Sequence, residues 1–147
     1  MNRRISGRHL TDPVCFVDTN VFVRYLTGDD EKKAAAFEKL LVQAASGKIV
    51  LATSEIVIAE LVWVLESFYK LKPSVIAELI RAILNTEGLK IKGSDLIEKT
   101  LDLYESQNID FIDAHIIAYM RSNHIETLYS FDKTHLSKVD GIHRIES

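Results

Sequence analysis

Short apolar runs alternate along this chain with longer stretches of helical period, and that alternation narrows the folds open to it. "VCFVD" at 14–18, "KIVLA" at 48–52, "LKIK" at 89–92 and "ETLYS" at 126–130 are strand-length, and "IHRI" at 142–145 is a fifth candidate. Between them, apolar residues recur every three or four positions over 20–27, 31–46, 53–69, 73–86, 94–106 and 110–123. Ends are marked by residues suited to them. Thr53 or Ser54, Ser94 and Asp110 stand where caps belong, Pro73 opens one helix, and Gly47 stops another. Strands alternating with helices predict an α/β domain of three layers, α/β/α, around a central parallel sheet of four or five strands. Residues 13–147 read as one such domain, and 1–12, with three arginines and little apolar periodicity, as a flexible arm.

Composition agrees with one folded domain. A chain of 147 residues that is 47% hydrophobic has enough apolar material for a single core. No apolar run approaches the roughly 20 residues needed to span a bilayer, and the N-terminal basic residues are not followed by an apolar stretch. Cys15 is the only cysteine, so no intrachain disulfide forms, and a reduced, cytoplasmic setting is expected. Its place inside an apolar strand predicts burial and a poor nucleophile. The net charge of −3 excludes nucleic-acid binding by bulk charge alone. A local basic patch, or acids neutralised by a metal ion, remains open.

Four acids stand out by position. Asp18 ends the first strand and Asp132 follows the fourth, and ligands of parallel sheets gather beyond such carboxyl ends. Each also reads as the cap of a following helix. Glu60 lies on the helix 53–69 with Ile56, Val57, Trp63 and Val64 at its three- and four-residue neighbours, and no lysine or arginine at those spacings. A carboxylate in such a stripe either sits at the rim of the core or faces a cation that the sequence does not encode. Asp113 is similar, with Ile109, Asp110, Ile116 and Ile117 around it; Asp110 reads well as the helix cap. Two charges about 4 Å apart repel by roughly 4 kcal/mol at an effective dielectric near 20, so four acids in one cleft call for a cation. Carboxylate oxygens in that number suit Mg²⁺ or Mn²⁺.

Other chemistries have less behind them. His9, His115, His124, His135 and His143 show no zinc-site spacing. No glycine-rich phosphate loop follows the first strand, and no serine elbow is present. A phosphatase using an aspartate at the first strand end would want a second acid two residues later, where Asn20 stands.

The ordered segments "FVDTNVFVRYL", "SEIVIAELVWVL", "DFIDAHIIAYM" and "LYSFDK" resemble the PIN-domain family of metal-dependent ribonucleases, and most of all its VapC toxin branch. The likeness runs from about residue 14 to 145. It implies Asp18, Glu60, Asp113 and Asp132 as catalytic, metal-binding acids, with Thr19, Asn20, Ser130 and Asp110 as outer supports. It further implies Mg²⁺ or Mn²⁺ as cofactor, hydrolysis of RNA phosphodiester bonds, a cognate antitoxin and a homodimer. Arg24, Lys133 and Lys138 are candidate RNA contacts by their nearness to these acids, with solvated surface charge as the plainer reading. Trp63, Phe68 and Tyr69 offer a groove for an antitoxin segment, although core packing is the expectation for Trp63. Two alternatives stand beside this reading: a PIN nuclease of RNA processing outside any toxin pair, and a binding module that keeps the fold without catalysis.

Overall fold

The structure, a computed structural model, describes residues 13–132, 139 and 141–145, and the backbone of two short strands at 4–5 and 8–9. Those two, β1 (Arg4–Ile5) and β2 (Arg8–His9), pair antiparallel within the segment expected as an arm. Then follow β3 (Val14–Phe16), α1 (Thr19–Thr27), α2 (Glu31–Ala45), β4 (Val50–Thr53), α3 (Glu55–Ser67) and α4 (Pro73–Leu84). The order closes with β5 (Leu89–Ile91), α5 (Ser94–Ser106), α6 (Phe111–Ser122), β6 (Thr127–Tyr129) and β7 (His143–Ile145).

All five expected strands form, and every pairing among them is parallel. They divide into a three-stranded sheet, β3-β4-β5, and a two-stranded sheet, β6-β7. In the larger sheet Cys15 lies opposite Leu51, and Leu51 opposite Leu89. Helices pack in sequence order, α1 on α2 and α3, α3 on α4, α4 on α5 and α5 on α6.

The helices arise where apolar spacing is helical. On α3, Ile58, Leu61, Val62 and Leu65 are spaced by three and four residues, and all four are buried. Ile76 and Ile80 do the same on α4, as do Ile97, Leu101 and Tyr104 on α5. Full burial of such aliphatic side chains contributes about 1.5–3 kcal/mol each. The hydroxyl of the buried Tyr104 donates to Glu66 Oε2 at 2.5 Å. Burial, and then the Glu66 carboxylate, push the phenol well above its ordinary pKa, so it remains a donor. Arg81 on α4 reaches Glu98, Asp102 and Glu105 on α5, fastening the two helices.

Local signals mostly act as the sequence suggests. Ser54 Oγ accepts the Val57 amide at the start of α3, and Pro73 is the first residue of α4. At α5 the cap position belongs to Gly93 in the left-handed region, not to Ser94, which is already helical. Asp110 takes the cap position of α6 through its backbone, its carbonyl accepting the Ala114 amide at 2.8 Å, without a side-chain cap bond.

Two burial expectations fail, each for a physical reason. Cys15 is exposed, as are its neighbours Val14 and Phe16, because among the described residues β3 is an edge strand, paired with β4 alone. Trp63 is 64% exposed rather than packed in the core. It lies on the face of α3 opposite Ile58, Leu61 and Leu65, in a line with exposed Ile56 and Glu60. Helix α3 is apolar nearly all round, so its pattern does not say which face turns inward. The short helix expected from Asp132 lies outside the described residues.

Candidate active site

The carboxyl end of β3 gives the site its first acid. After Val17, whose amide donates to the Ala52 carbonyl at 2.8 Å, the chain leaves the sheet and turns into α1. Asp18 caps that helix, its Oδ1 accepting the Val21 amide at 3.4 Å, while the side chain stays exposed. The capping role expected for Asp18 is therefore present, and the same carboxylate also lines a pocket. A carboxylate here is favoured by the partial positive charge of the helix start.

Glu60 reaches this pocket from α3. It sits at the rim of the core, exposed, and its Oε1 accepts a short hydrogen bond from the buried Thr19 hydroxyl, joining residues 41 positions apart. Asp18, Thr19, Asn20, Glu60 and Val64 together line a cavity of about 150 Å³. Thr19 thus orients the glutamate and holds α1 against α3. The polar groups gathered here are two carboxylates, a hydroxyl and an amide, an oxygen-rich set of the kind Mg²⁺ or Mn²⁺ prefers over softer ions.

The remaining expected residues are placed as follows. Asp113 is half-buried in the first turn of α6, and Asp132 is half-buried after β6; neither lines the Asp18–Glu60 pocket. Among the described residues, no group of three or more His, Cys, Asp or Glu side chains is arranged to hold a metal ion. Ser130 Oγ accepts the Asp132 amide at 3.0 Å, and the Ser130 carbonyl accepts from Arg144, so Ser130 shapes the backbone that carries Asp132. Lys133 and Lys138 lie outside the described residues.

Arg24 lines a second cavity, of about 420 Å³, beside Asp18, Asn20, Lys33, Phe37 and Leu40 between α1 and α2. Its guanidinium donates to Asp29 Oδ2 at 2.9 Å, and the Tyr69 hydroxyl donates to the same oxygen at 2.6 Å. The hydrogen bond from Tyr69 lowers the Asp29 pKa, and the hydrogen bond to Asp29 raises that of Arg24. Arg24 is therefore tied to the α3–α4 connection while facing the cavity.

Sequence reasoning passed over Glu55 and His115. His115 Nε2 lies 3.6 Å from Glu55 Oε2, and both line a further cavity of about 310 Å³ with Ile56, Ala59, Phe111 and Ile112. Glu55 carries no signal of its own in the sequence, and His115 stands among histidines that lack zinc-site spacing. No local pattern joins residues brought together only by the meeting of α3 and α6.

A family model described as the PIN domain matches residues 15–142. A VapC ribonuclease of Aquifex aeolicus strain VF5 is 28% identical over 117 residues, covering 80% of this chain and 86% of that protein. Among solved structures, a toxin–antitoxin complex from Klebsiella pneumoniae gives a TM-score of 0.33 at 18% identity, covering 87% of this chain and 94% of that one. The sarcin–ricin-loop-cleaving toxin VapC20 of Mycobacterium tuberculosis gives 0.36 at 21% identity, with 84% and 93% covered.

Proposed function

This chain belongs to the PIN-domain family, and from that premise we propose that it is a metal-dependent endoribonuclease, the VapC-type toxin of a toxin–antitoxin pair. The observation that carries the reading is the meeting of Asp18 and Glu60 in one oxygen-lined pocket, with Thr19 bonded to the glutamate. Similarity to the Aquifex VapC ribonuclease supports the substrate class.

In this reading Asp18 and Glu60, which share the pocket, would hold Mg²⁺ or Mn²⁺, and the family resemblance adds Asp113 and Asp132, which lie outside that pocket, to the same set. When bound, such an ion acidifies water and offsets charge on a phosphate. The chain's own residues supply the rest. Thr19 donates to Oε1 of Glu60 and fixes the carboxylate, leaving Oε2 to accept a proton from the attacking water. Asp18 is held in place by its bond to the Val21 amide. Asn20 offers an amide that donates and accepts at the pocket wall. Ser130 positions Asp132 through its backbone. Arg24, with Lys133 and Lys138, tracks the RNA backbone.

An antitoxin segment is proposed to lie beside this site, where the cavity between α1 and α2 and the exposed Trp63 and Phe68 leave apolar surface. A homodimer and a cytoplasmic setting complete the reading; no helix among the described residues is long and apolar enough to cross a membrane. A PIN nuclease outside a toxin pair is distinguished by the absence of a neighbouring antitoxin gene. The direct test is cleavage of labelled structured RNA by the purified chain. Cleavage is expected with Mg²⁺ or Mn²⁺, loss of it in excess EDTA, and recovery when the ion is restored. Cleavage that persists in EDTA would refute metal dependence, and no cleavage with either ion would favour a binding module.

A further inference from the structure

We propose that the cavity between α3 and α6 receives an unstacked guanine base of the RNA, with Glu55 reading its Watson–Crick edge. The proposal rests on the ribonuclease reading above and adds to it a basis for sequence preference. Location is the first support. Ile56 lines this cavity, and Glu60 of the catalytic pocket lies one helical turn further along the same exposed face of α3. Residues four apart on a helix have Cβ atoms about 5–6 Å apart, so the two pockets are neighbours. A strand running along this face past Glu60 brings a base to Ile56.

The lining chooses a base over the backbone. A carboxylate repels phosphate, whereas walls of Ile56, Ala59, Phe111 and Ile112 suit the flat face of a heterocycle. Ile56 and Ile112 are both exposed, forming lips around an opening on the surface. At about 310 Å³ the cavity falls at the small end of the range of about 300–1,000 Å³ typical of small-molecule sites.

The polar pair chooses the base. An ionised carboxylate only accepts hydrogen bonds. Guanine presents two adjacent donors, N1–H and the N2 amino group, which match both oxygens of Glu55. Adenine and cytosine set an acceptor beside their amino donor, and uracil flanks its one N–H with two carbonyls. Gly93 makes room for the carboxylate: an added Cβ there would fall 2.7 Å from Glu55 Oε1, so the bare glycine lets the group lie against the start of α5. His115 stands on another side at 3.6 Å, beyond ordinary hydrogen-bond length, so the carboxylate is guided without being locked.

The test is binding in EDTA, where RNA stays intact, of four dye-labelled pentanucleotides that differ only at the centre of a uridine run, read by fluorescence anisotropy. The guanine-centred strand is expected to bind about tenfold more tightly than the other three, within the discrimination of a good bidentate contact. Glu55→Gln, which puts a donor where an acceptor stood, is expected to bring the four within about threefold of one another. In the unmodified chain the His115 ring resonances should move with the guanine strand and not with the adenine strand, a readout independent of how the variant folds. Equal binding of the four strands, or a guanine preference that survives Glu55→Gln, would overturn the proposal. Guanine-selective binding without cleavage in Mg²⁺ would sink the nuclease reading and leave the pocket standing. Cleavage without base selectivity would do the reverse.

Discussion

Asp18→Asn is expected to lower metal-supported RNA cleavage by at least about 10²-fold while leaving the fold as stable as before, since electrostatic and acid–base groups contribute on that scale. The two halves of this expectation come from the two roles of one side chain. As a cap, Asp18 offers an oxygen to the Val21 amide, and asparagine does that equally well. As an acid it supplies a negative charge to the pocket shared with Glu60, and asparagine does not. Asp18→Ala removes both, adding a loss of about 1 kcal/mol in stability from the missing cap. Cleavage rates at saturating Mg²⁺, set beside urea midpoints for the three proteins, separate charge from capping. An asparagine variant as active as the parent would show that the carboxylate only caps.

The second large effect is on stability. Gly88→Ala is expected to cost about 2–5 kcal/mol, the sum of left-handed strain at about 1–2 kcal/mol and overpacking at about 1–3 kcal/mol. Gly88 has φ +83°, and a Cβ there would fall 2.5 Å from the carbonyl oxygen of Ala44. Ala44 is a buried residue near the end of α2, so the obstacle is helix backbone rather than a side chain that can swing away. Gly88 also leads directly into β5 and gives its carbonyl to the Leu51 amide at 3.0 Å, so a shift is felt in the central strand. Gly47 supplies the control. Its φ is +84° with nothing within 4 Å of an added Cβ, so Gly47→Ala isolates the strain alone, about 1–2 kcal/mol. Urea denaturation of the two variants measures the difference; equal costs would refute the clash.

Particular residues show how far the sequence could be read. Helix positions were legible because buried Leu61, Leu65, Ile76 and Ile80 keep helical spacing whatever they pack against. Parallel strands were legible from their alternation with helices. How the strands would group was not, since an apolar run such as "VCFV" is the same in an edge strand as in a covered one; hence the exposed Cys15. Trp63 failed for the analogous reason on a helix with apolar residues on every side. In the site, Asp18 and Glu60 were recognisable as acids in places that need explanation, and the fold brings those two into one pocket. The share of Asp113 and Asp132 rests on the family resemblance. Glu55 and His115 carried no signal, because their nearness is created by tertiary packing alone.

The tryptophan that the core rejected has a practical use. It is the only indole in the chain, and it stands three residues from Glu60 on a largely exposed face. Excitation at its absorption edge therefore addresses one turn of one helix, the turn beside the candidate pocket. Because the ring is already wet in the native protein, unfolding changes its emission colour little. A partner or nucleic-acid strand settling on that face dries it and shifts the emission to the blue, so occupancy can be followed optically without a label.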